Sequence, residues 1–431
     1  MGLAKFFKSI GSKKDRDSVV DSPVFKDNWG IVMVRVGMYS GFVVPYANVV
    51  WTTAHLPFLF YTAYHCIALD FDFGLFCSTC HYILMMTSVC TSIVNCQVNS
   101  HHFEAMVRLL EMDVYKYKDT IDPLTEEIMA TEKDTMAKRK KSYSTVMFWL
   151  FMAAAGISMI FFPILFKIPD TGEKIDYIHR DLPVVVWYPI DKYSWSGYLW
   201  LLFTEYWIAF VIIMVVAGTD ITFLCYAEEG VYHLKAVGLT LRYVLRRARF
   251  LYKKRYGGDD ISHKDPKFHA CLKVCLKQSI QHHYEILKYF NHLDRLYFFI
   301  LLVIVLSSTF MLCISGILFV AENVDMKPKL QFFCYLITLI LHTFTFSWYG
   351  EIIANTSMDL SGDLYESEWE DCSDVVRRYL LIMQAYVGQP VIISAGGFMA
   401  VNLNTFGNVL SSSYSYFNLL SVMMARGNDG N

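Results

Sequence analysis

The chain has 431 residues, of which 55% are apolar, 16% aromatic and only 18% charged, against roughly 25% charged residues in an ordinary soluble domain. This composition excludes a soluble globular protein and indicates several membrane crossings. The formal net charge of −2 gives no reason to expect a nucleic acid as partner. Residues 1–30 are basic but contain no apolar core of signal-peptide length, so we expect the first span itself to direct insertion.

Charge-poor stretches predict seven membrane-spanning helices. They lie near residues 44–68, 75–97, 142–166, 198–222, 296–320, 331–350 and 391–424. If the segments 97–141, 223–295 and 351–390 share a side with the N-terminus, that side holds 31 of the 38 Lys and Arg residues. Because basic loops stay in the cytoplasm, the sequence predicts an all-α membrane protein with a cytoplasmic N-terminus and an extracellular C-terminus.

Two thiols and an imidazole stand together at residues 77–81, Cys-Ser-Thr-Cys-His, where the second span begins. The spacing matches the C-x-x-C-H pattern of haem attachment, but the motif runs into an apolar helix, which favours two packed thiols. The 11 cysteines are scattered over both faces and the spans, so they define no disulfide framework. Hydrolase, kinase and phosphate-loop signatures are missing from the sequence, and we expect neither an enzyme nor a cofactor.

Large, adaptable side chains are concentrated on the outer halves of spans two, three, four and six. Such side chains either pack the spans together or line a ligand pocket. Gly156 follows three alanines and either permits close helix contact or leaves room for a ligand. The candidate pocket residues are Tyr82, Met85, Met86, Phe148, Met152, Gly156, Phe210, Met214, Tyr335 and His342.

Glu205 lies about two helical turns inside span four, where a carboxylate is a functional candidate because its burial costs free energy. The structural alternative is an ion pair with Lys167, which lies at a similar depth at the end of span three. The sequence leaves both interpretations open.

The 73-residue segment 223–295 carries two helical patterns. The first stops at Gly257-Gly258 and the second begins after Asp265-Pro266. We expect both to extend membrane helices into the cytoplasm. The second pattern contains His269, Cys271, Cys275, His282 and His283. Their helical spacing suits either zinc ligands or, as is commoner, packed side chains.

The last quarter of the chain has 47 consecutive residues, 379–425, without Asp, Glu, Lys, Arg or His. A single crossing needs about 20 residues, so this stretch holds more than one element. A polar stripe runs along one helical face, because its members recur at spacings of four and three. It comprises Asn404, Asn408, Ser411, Ser415 and Asn418, with Val422 in register. Such a stripe needs either water or a neighbouring helix.

Several separated motifs follow one another in the last quarter. They are residues 364–369 (Leu-Tyr-Glu-Ser-Glu-Trp), Arg377-Arg378, Gln389-Pro390, Gly397-Phe398 and residues 413–420 (Ser-Tyr-Ser-Tyr-Phe-Asn-Leu-Leu). This ordered set resembles the C-terminal signature of insect odorant receptors. The resemblance implies a ligand-gated, non-selective cation channel in the plasma membrane of olfactory sensory neurons, opened by small volatile odorants that bind among spans two to six.

The resemblance also implies a subunit type. The family's tuning receptors assemble as tetramers with the olfactory co-receptor, which carries a larger insertion between spans four and five. This chain has no such insertion and so resembles a tuning subunit. The implied divisions are 1–222 for the first spans, 223–295 for a cytoplasmic anchor, 296–350 for spans five and six, 351–390 for a further anchor helix and 391–431 for the pore helix and tail.

In the family pattern, Leu419 and Val422 occupy the hydrophobic constriction of the pore, and Ser415 and Asn418 lie beside it. Pro390 suits the first turn of a new helix, since proline fixes its φ and lacks a donor, so the pore helix is expected from about residue 391. The alternatives are a gustatory receptor, whose terminal signature is absent, and a G-protein-coupled receptor, which needs an outside N-terminus and a D-R-Y motif in span three.

Overall fold

The computed structural model describes residues 43–68, 73–157, 182–184, 186–190, 194–257, 265–321, 326–367, 369 and 374–428. Lys167 and the basic residues before position 43 lie outside these ranges. The described elements are α1 (Val43–Ala68), α2 (Phe73–Val98), α3 (Ser100–Glu111), α4 (Pro123–Gly156), α5 (Trp195–Arg242), α6 (Val244–Tyr256), α7 (Pro266–Val320), α8 (Met326–Tyr365), α9 (Asp374–Val387), β1 (Ser394–Ala395), β2 (Met399–Ala400) and α10 (Leu403–Asn428).

Four of the described helices are long and apolar enough to cross a bilayer. The qualifying stretches are Gly74–Val98 in α2, Trp195–Arg242, Pro266–Val320 and Lys329–Tyr365 in α8. The three other predicted spans overlap with α1, with the second half of α4 and with α10, and residues 158–166 of the third predicted span lie outside the described residues. The all-α membrane class is therefore confirmed, while the count of seven crossings and their orientation stay predictions.

The long helices begin and end at the expected local signals. The Asp122 carboxylate accepts from the Thr125 backbone N–H at 3.4 Å where α4 starts, and the Asp265 carboxylate accepts from the Lys267 N–H at 2.9 Å where α7 starts. In both helices a proline follows the capping aspartate, where its missing N–H costs nothing. Gly257, with φ of 63°, ends α6 as predicted from its freedom at positive φ.

The last helix begins at Leu403, so the predicted start near residue 391 is wrong, and Pro390 does not open a helix. Between Pro390 and Leu403, β1 and β2 form an antiparallel hairpin with two residues in each strand. Ser394 pairs with Ala400. Its turn needs the glycines at positions 396 and 397, whose φ values are 64° and 77°. The Asn402 side chain then caps α10, accepting from the Thr405 N–H at 2.9 Å.

This hairpin is held between two long helices. The Ser394 N–H and hydroxyl donate to Asp294 Oδ1 on α7 at 2.7 and 2.9 Å. On α8, Gly350 lies so close to the hairpin that a Cβ there would overlap the Val401 carbonyl oxygen. The start of α10 is thus fixed to both α7 and α8.

Beyond the predicted spans, the C-terminal part of α5, helix α6 and the N-terminal part of α7 surround a densely packed region. This region is here called the extension core. At its centre Arg247 is fully buried and donates to the Thr120 carbonyl at 3.1 Å, the Thr240 carbonyl at 2.8 Å and the Ser279 hydroxyl at 2.9 Å. A buried guanidinium is tolerated only when its donors are satisfied in this way.

Candidate ligand cavity and candidate pore helix

A cavity lies between α2, α4, α5, α7 and α8, at the level of the predicted spans. It holds about 910 Å³, the space at its mouth included. The wall is largely apolar and includes Phe151, Ile212, Val216, Ile304, Met311 and Leu339. A pocket with such an apolar wall suits a small, mostly apolar molecule.

The cavity exists because four of the five helices turn short side chains towards it. Ala154 on α4, Ala209 on α5 and Ser88 on α2 all line it. Ser307 and Ser308 bring two further short side chains from α7. None of these reaches far enough to fill the centre, so the space is left between larger neighbours.

Polar side chains lie along one part of the wall, towards α2 and α8. The His81 ring stacks on the Tyr335 ring with centroids 5.4 Å apart and planes at 12°. The Gln331 amide donates to the Tyr335 hydroxyl at 3.0 Å. His342 contacts the Asp220 carboxylate, with 2.7 Å between Nδ1 and Oδ2, and Asp220 itself is fully buried behind the wall.

A smaller cavity of about 390 Å³, the space at its mouth included, adjoins the first, between α1, α2, α5 and the side chains of Val184, Val186 and Tyr188. Met85, Ala209 and Ile212 line both cavities and so form the partition between them. At the far end, the Glu205 carboxylate accepts from the Val184 backbone N–H at 3.0 Å. Glu205 therefore holds the segment that covers the smaller cavity, whereas Lys167 lies outside the described residues.

The structure brings part of the predicted pocket together. Met85, Tyr335 and His342 line the larger cavity, and Tyr82 and Met86 line the smaller one.

The other five predicted residues line neither cavity. Phe148 and Met214 pack in the surrounding hydrophobic core. Phe210 is 36% exposed, with its ring beside Trp207. Met152 is half-buried, and a Cβ built on Gly156 would meet no described atom within 4 Å. The assignment of all ten to a ligand pocket stays a prediction.

The last helix, α10, has two distinct faces. Its buried face packs on α7, where the Ser413 hydroxyl donates to the Thr309 carbonyl at 2.9 Å. The predicted polar stripe lies on the opposite face and is exposed in the single chain, from Asn404 through Asn408, Ser411 and Ser415 to Asn418. Leu419 and Val422 are also exposed, at 59% and 52%. Packing within one chain therefore does not account for the stripe.

Helix α7 contacts both the larger cavity and α10. Ile304, Ser308 and Met311 line the cavity. The intervening residues face α10: Thr309 bonds Ser413, and the Phe310 ring stacks on the Tyr416 ring at 5.9 Å. A displacement of α7 by a bound molecule would therefore reach α10 directly.

The candidate zinc ligands on α7 occupy other environments. Nδ1 of His282 is hydrogen-bonded to the Tyr117 hydroxyl at 2.9 Å, and Nε2 of His282 is hydrogen-bonded to Nδ1 of His233 at 3.2 Å. Burial lowers the pKa of His233 to about 3 and the pKa of His282 well below its usual range. Among the described residues, no group of three or more potential ligands converges on a metal site.

These features define a class: an all-α, multi-pass membrane protein with an apolar cavity between its helices and a last helix whose polar face is uncovered. A family profile described as 7tm Odorant receptor matches residues 73–414. The chain therefore belongs to the odorant receptor family, and the predicted family is confirmed.

Individual relatives agree. Odorant receptor Or2 of Anopheles gambiae is 28% identical over 151 residues, which cover 35% of this chain and 39% of the relative. Odorant receptor 85c of Drosophila melanogaster is 24% identical over 281 residues, or 65% of each chain. These alignments span less than two thirds of either relative.

The fold also matches a solved structure. The insect olfactory receptor OR5 from Machilis hrabei, in complex with eugenol, superposes with a TM-score of 0.73. The match covers 96% of this chain and 100% of OR5, at 14% sequence identity. At this identity the likeness establishes a shared fold.

Proposed function

We propose that this chain is a tuning subunit of an odorant-gated, non-selective cation channel, assembled as a tetramer with the olfactory co-receptor in the plasma membrane of olfactory sensory neurons. One observation carries the proposal: α7 lines the cavity with Ile304, Ser308 and Met311 and contacts α10 through Thr309 and Phe310. A ligand site and a candidate pore helix thus share one continuous helix.

The ligand of the proposed receptor is a small volatile molecule that enters the larger cavity. The apolar wall of the cavity supports this assignment, as does the related fold of OR5, which was solved with eugenol. Binding shifts the closed-to-open equilibrium by the difference in the ligand's affinity for the two states. Side chains on α7 that touch the ligand transmit this shift to α10.

The proposed pore is formed by α10 from each subunit. The exposed polar stripe keeps the pathway hydrated from Asn404 to Ser415, and Asn418 continues it to the constriction. Leu419 and Val422 then close the pore by excluding water from its narrowest part. Their exposure in the single chain supports this role, because side chains at a pore axis have no partner within their own subunit.

The extension core is proposed to lie in the cytoplasm and to hold the subunits together. The positive charge of residues 223–295 supports the cytoplasmic location. Helix α9 contributes a further surface, since Leu381, Ile382 and Tyr386 are exposed on it although they are large and apolar.

Cysteine accessibility tests the pore assignment. Ser415→Cys and Ser413→Cys place the same thiol on opposite faces of α10, and Ser413 is buried. With the co-receptor co-expressed, a charged methanethiosulfonate should alter the odorant-evoked current of Ser415→Cys and leave that of Ser413→Cys unchanged. Equal insensitivity at positions 411, 415 and 418 in every subunit combination would refute the pore role of α10.

A further inference from the structure

The Asp220–His342 pair places an imidazole ring, hydrogen-bonded to a buried carboxylate, in the wall of the larger cavity. His342 lines the cavity, whereas Asp220 lies behind it and is 0% exposed. Nδ1 of His342 is hydrogen-bonded to Oδ2 of Asp220, with 2.7 Å between the two atoms. The other nitrogen, Nε2, has no hydrogen-bond partner among the described residues. The ring is held by this bond and by edge contact with Phe346 at 5.4 Å.

The protonation of the pair follows from its burial. A neutral imidazole beside an ionised carboxylate would leave a net negative charge in an apolar region, and the second carboxylate oxygen, Oδ1 of Asp220, is buried without a hydrogen-bond partner in the described structure. Such a charge is very costly. One additional proton, shared by the pair, makes it net neutral.

Both neutral forms place a proton on the same atom. In the first form His342 is an imidazolium beside the Asp220 carboxylate, and both ring nitrogens carry protons. In the second form the Asp220 carboxyl group donates to Nδ1, so the imidazole proton is on Nε2. In either case Nε2 is a hydrogen-bond donor.

Three nearby hydroxyl groups differ, because their protons are engaged. The Ser307 hydroxyl donates to the Val303 carbonyl at 2.6 Å, and the Thr338 hydroxyl donates to the Cys334 carbonyl at 2.8 Å. The Ser88 hydroxyl donates to Ser307 at 3.0 Å. These groups offer lone pairs to a ligand, whereas His342 offers an N–H.

We infer that the Asp220–His342 pair makes the cavity selective for volatiles that carry a carbonyl oxygen, such as ketones, aldehydes and esters, over hydrocarbons of the same shape. The inference rests on the proposed function, since it names the ligand class of the same cavity. Asp220 acts as a positioning residue that sets which atom of His342 carries the donor proton.

Isosteric ligand pairs provide the test. Acetophenone and α-methylstyrene differ only by replacement of C=O with C=CH₂, and so do 2-octanone and 2-methyl-1-octene. Odorant-evoked currents are recorded with the co-receptor co-expressed. One buried hydrogen bond should lower the half-maximal concentration of the ketone about tenfold relative to its alkene.

Two variants assign that preference to His342. His342→Phe keeps an aromatic ring but removes the donor, and should reduce the ketone preference to within about twofold. His342→Gln retains an N–H donor and should keep a measurable preference. Ser308→Ala is the matched control, because it removes another hydroxyl from the cavity wall and leaves the pair intact. Surface labelling checks that each variant reaches the membrane.

The outcomes separate the inference from the proposed function. Equal responses to ketone and alkene, or a preference that survives His342→Phe and disappears in Ser308→Ala, overturn the inference while leaving an odorant-gated channel. Silence toward every ketone with responses to other volatiles also overturns it. Silence toward a broad panel of volatiles, with the subunit at the cell surface, counts against the proposed function itself.

Discussion

The extension core and the membrane bundle use polar groups in opposite ways. In the extension core, Arg247 is fully enclosed and its donors meet carbonyl and hydroxyl acceptors from three segments. In the bundle, most hydroxyls turn back to their own helix, as Thr338 does, and short side chains leave a cavity. The first arrangement fixes one packing geometry, and the second leaves neighbouring helices free to adjust.

The largest effect should come from the extension core. Arg247→Ala removes four hydrogen bonds from a charged, buried group and leaves a void, so we expect a loss of at least about 3 kcal/mol in the free energy of unfolding. Fluorescence-detected size-exclusion chromatography after heating measures this loss. Arg255→Ala, at an exposed position of α6, is the control. Equal thermal stability of the two variants would contradict the central role of Arg247.

The junction between the two regions comes next. Gly350→Ala forces a Cβ against the Val401 carbonyl and should cost about 1–3 kcal/mol by overpacking, with displacement of α10 and a changed resting current. Gly362→Ala on the same helix meets no atom within 4 Å and should be neutral or slightly stabilising. If the resting current of Gly350→Ala is unchanged, the position of the hairpin does not control α10.

A change in the bundle should affect the response more than the stability. Ala154→Leu adds bulk to the cavity wall and should raise half-maximal odorant concentrations about tenfold, as expected when about 1–3 kcal/mol of apolar contact is lost. Ala153→Leu makes the same change at the exposed neighbouring position and should leave the dose-response curve unmoved. If both variants shift equally, the cavity is not the ligand site.

The smallest effect concerns pH. Because the pKa of His233 falls from 6.5 to about 3 on burial, the unfolded chain binds more protons between these values. Stability of the extension core is therefore complete above pH 6.5 and should decline as the pH falls toward 3. His233→Gln should flatten this decline in thermal melts, whereas His269→Gln should not. An identical pH profile in wild type and His233→Gln would exclude the contribution of this histidine.

Much of the fold could be predicted because its signals are local. Asp265-Pro266 and Gly257 gave the boundaries of α6 and α7 directly. The hairpin before α10 was missed although its signals are present: Gly396-Gly397 forms the turn and Asn402 caps the helix. An uncharged, apolar run concealed them, because hydropathy alone does not separate a hairpin from a membrane helix.

The cavity was only partly predictable for a different reason. Large, flexible residues such as Met214 were expected to line it, but open space forms where side chains are short, as at Ala154 and Ala209. Which short residues face one another depends on helix packing. The pairing of Asp220 with His342 likewise joins residues 122 positions apart, and no local pattern connects them.

The partition between the two cavities has a consequence for ligand length. Met85 is its most flexible member, because a methionine side chain has three rotatable bonds and adapts its shape easily, while Ala209 and Ile212 belong to the helix wall. In the proposed ligand site, a short homologue would fit beside Met85 without moving it. A longer one must rotate the thioether and enter the smaller cavity, so potency along a homologous series should change abruptly at one chain length.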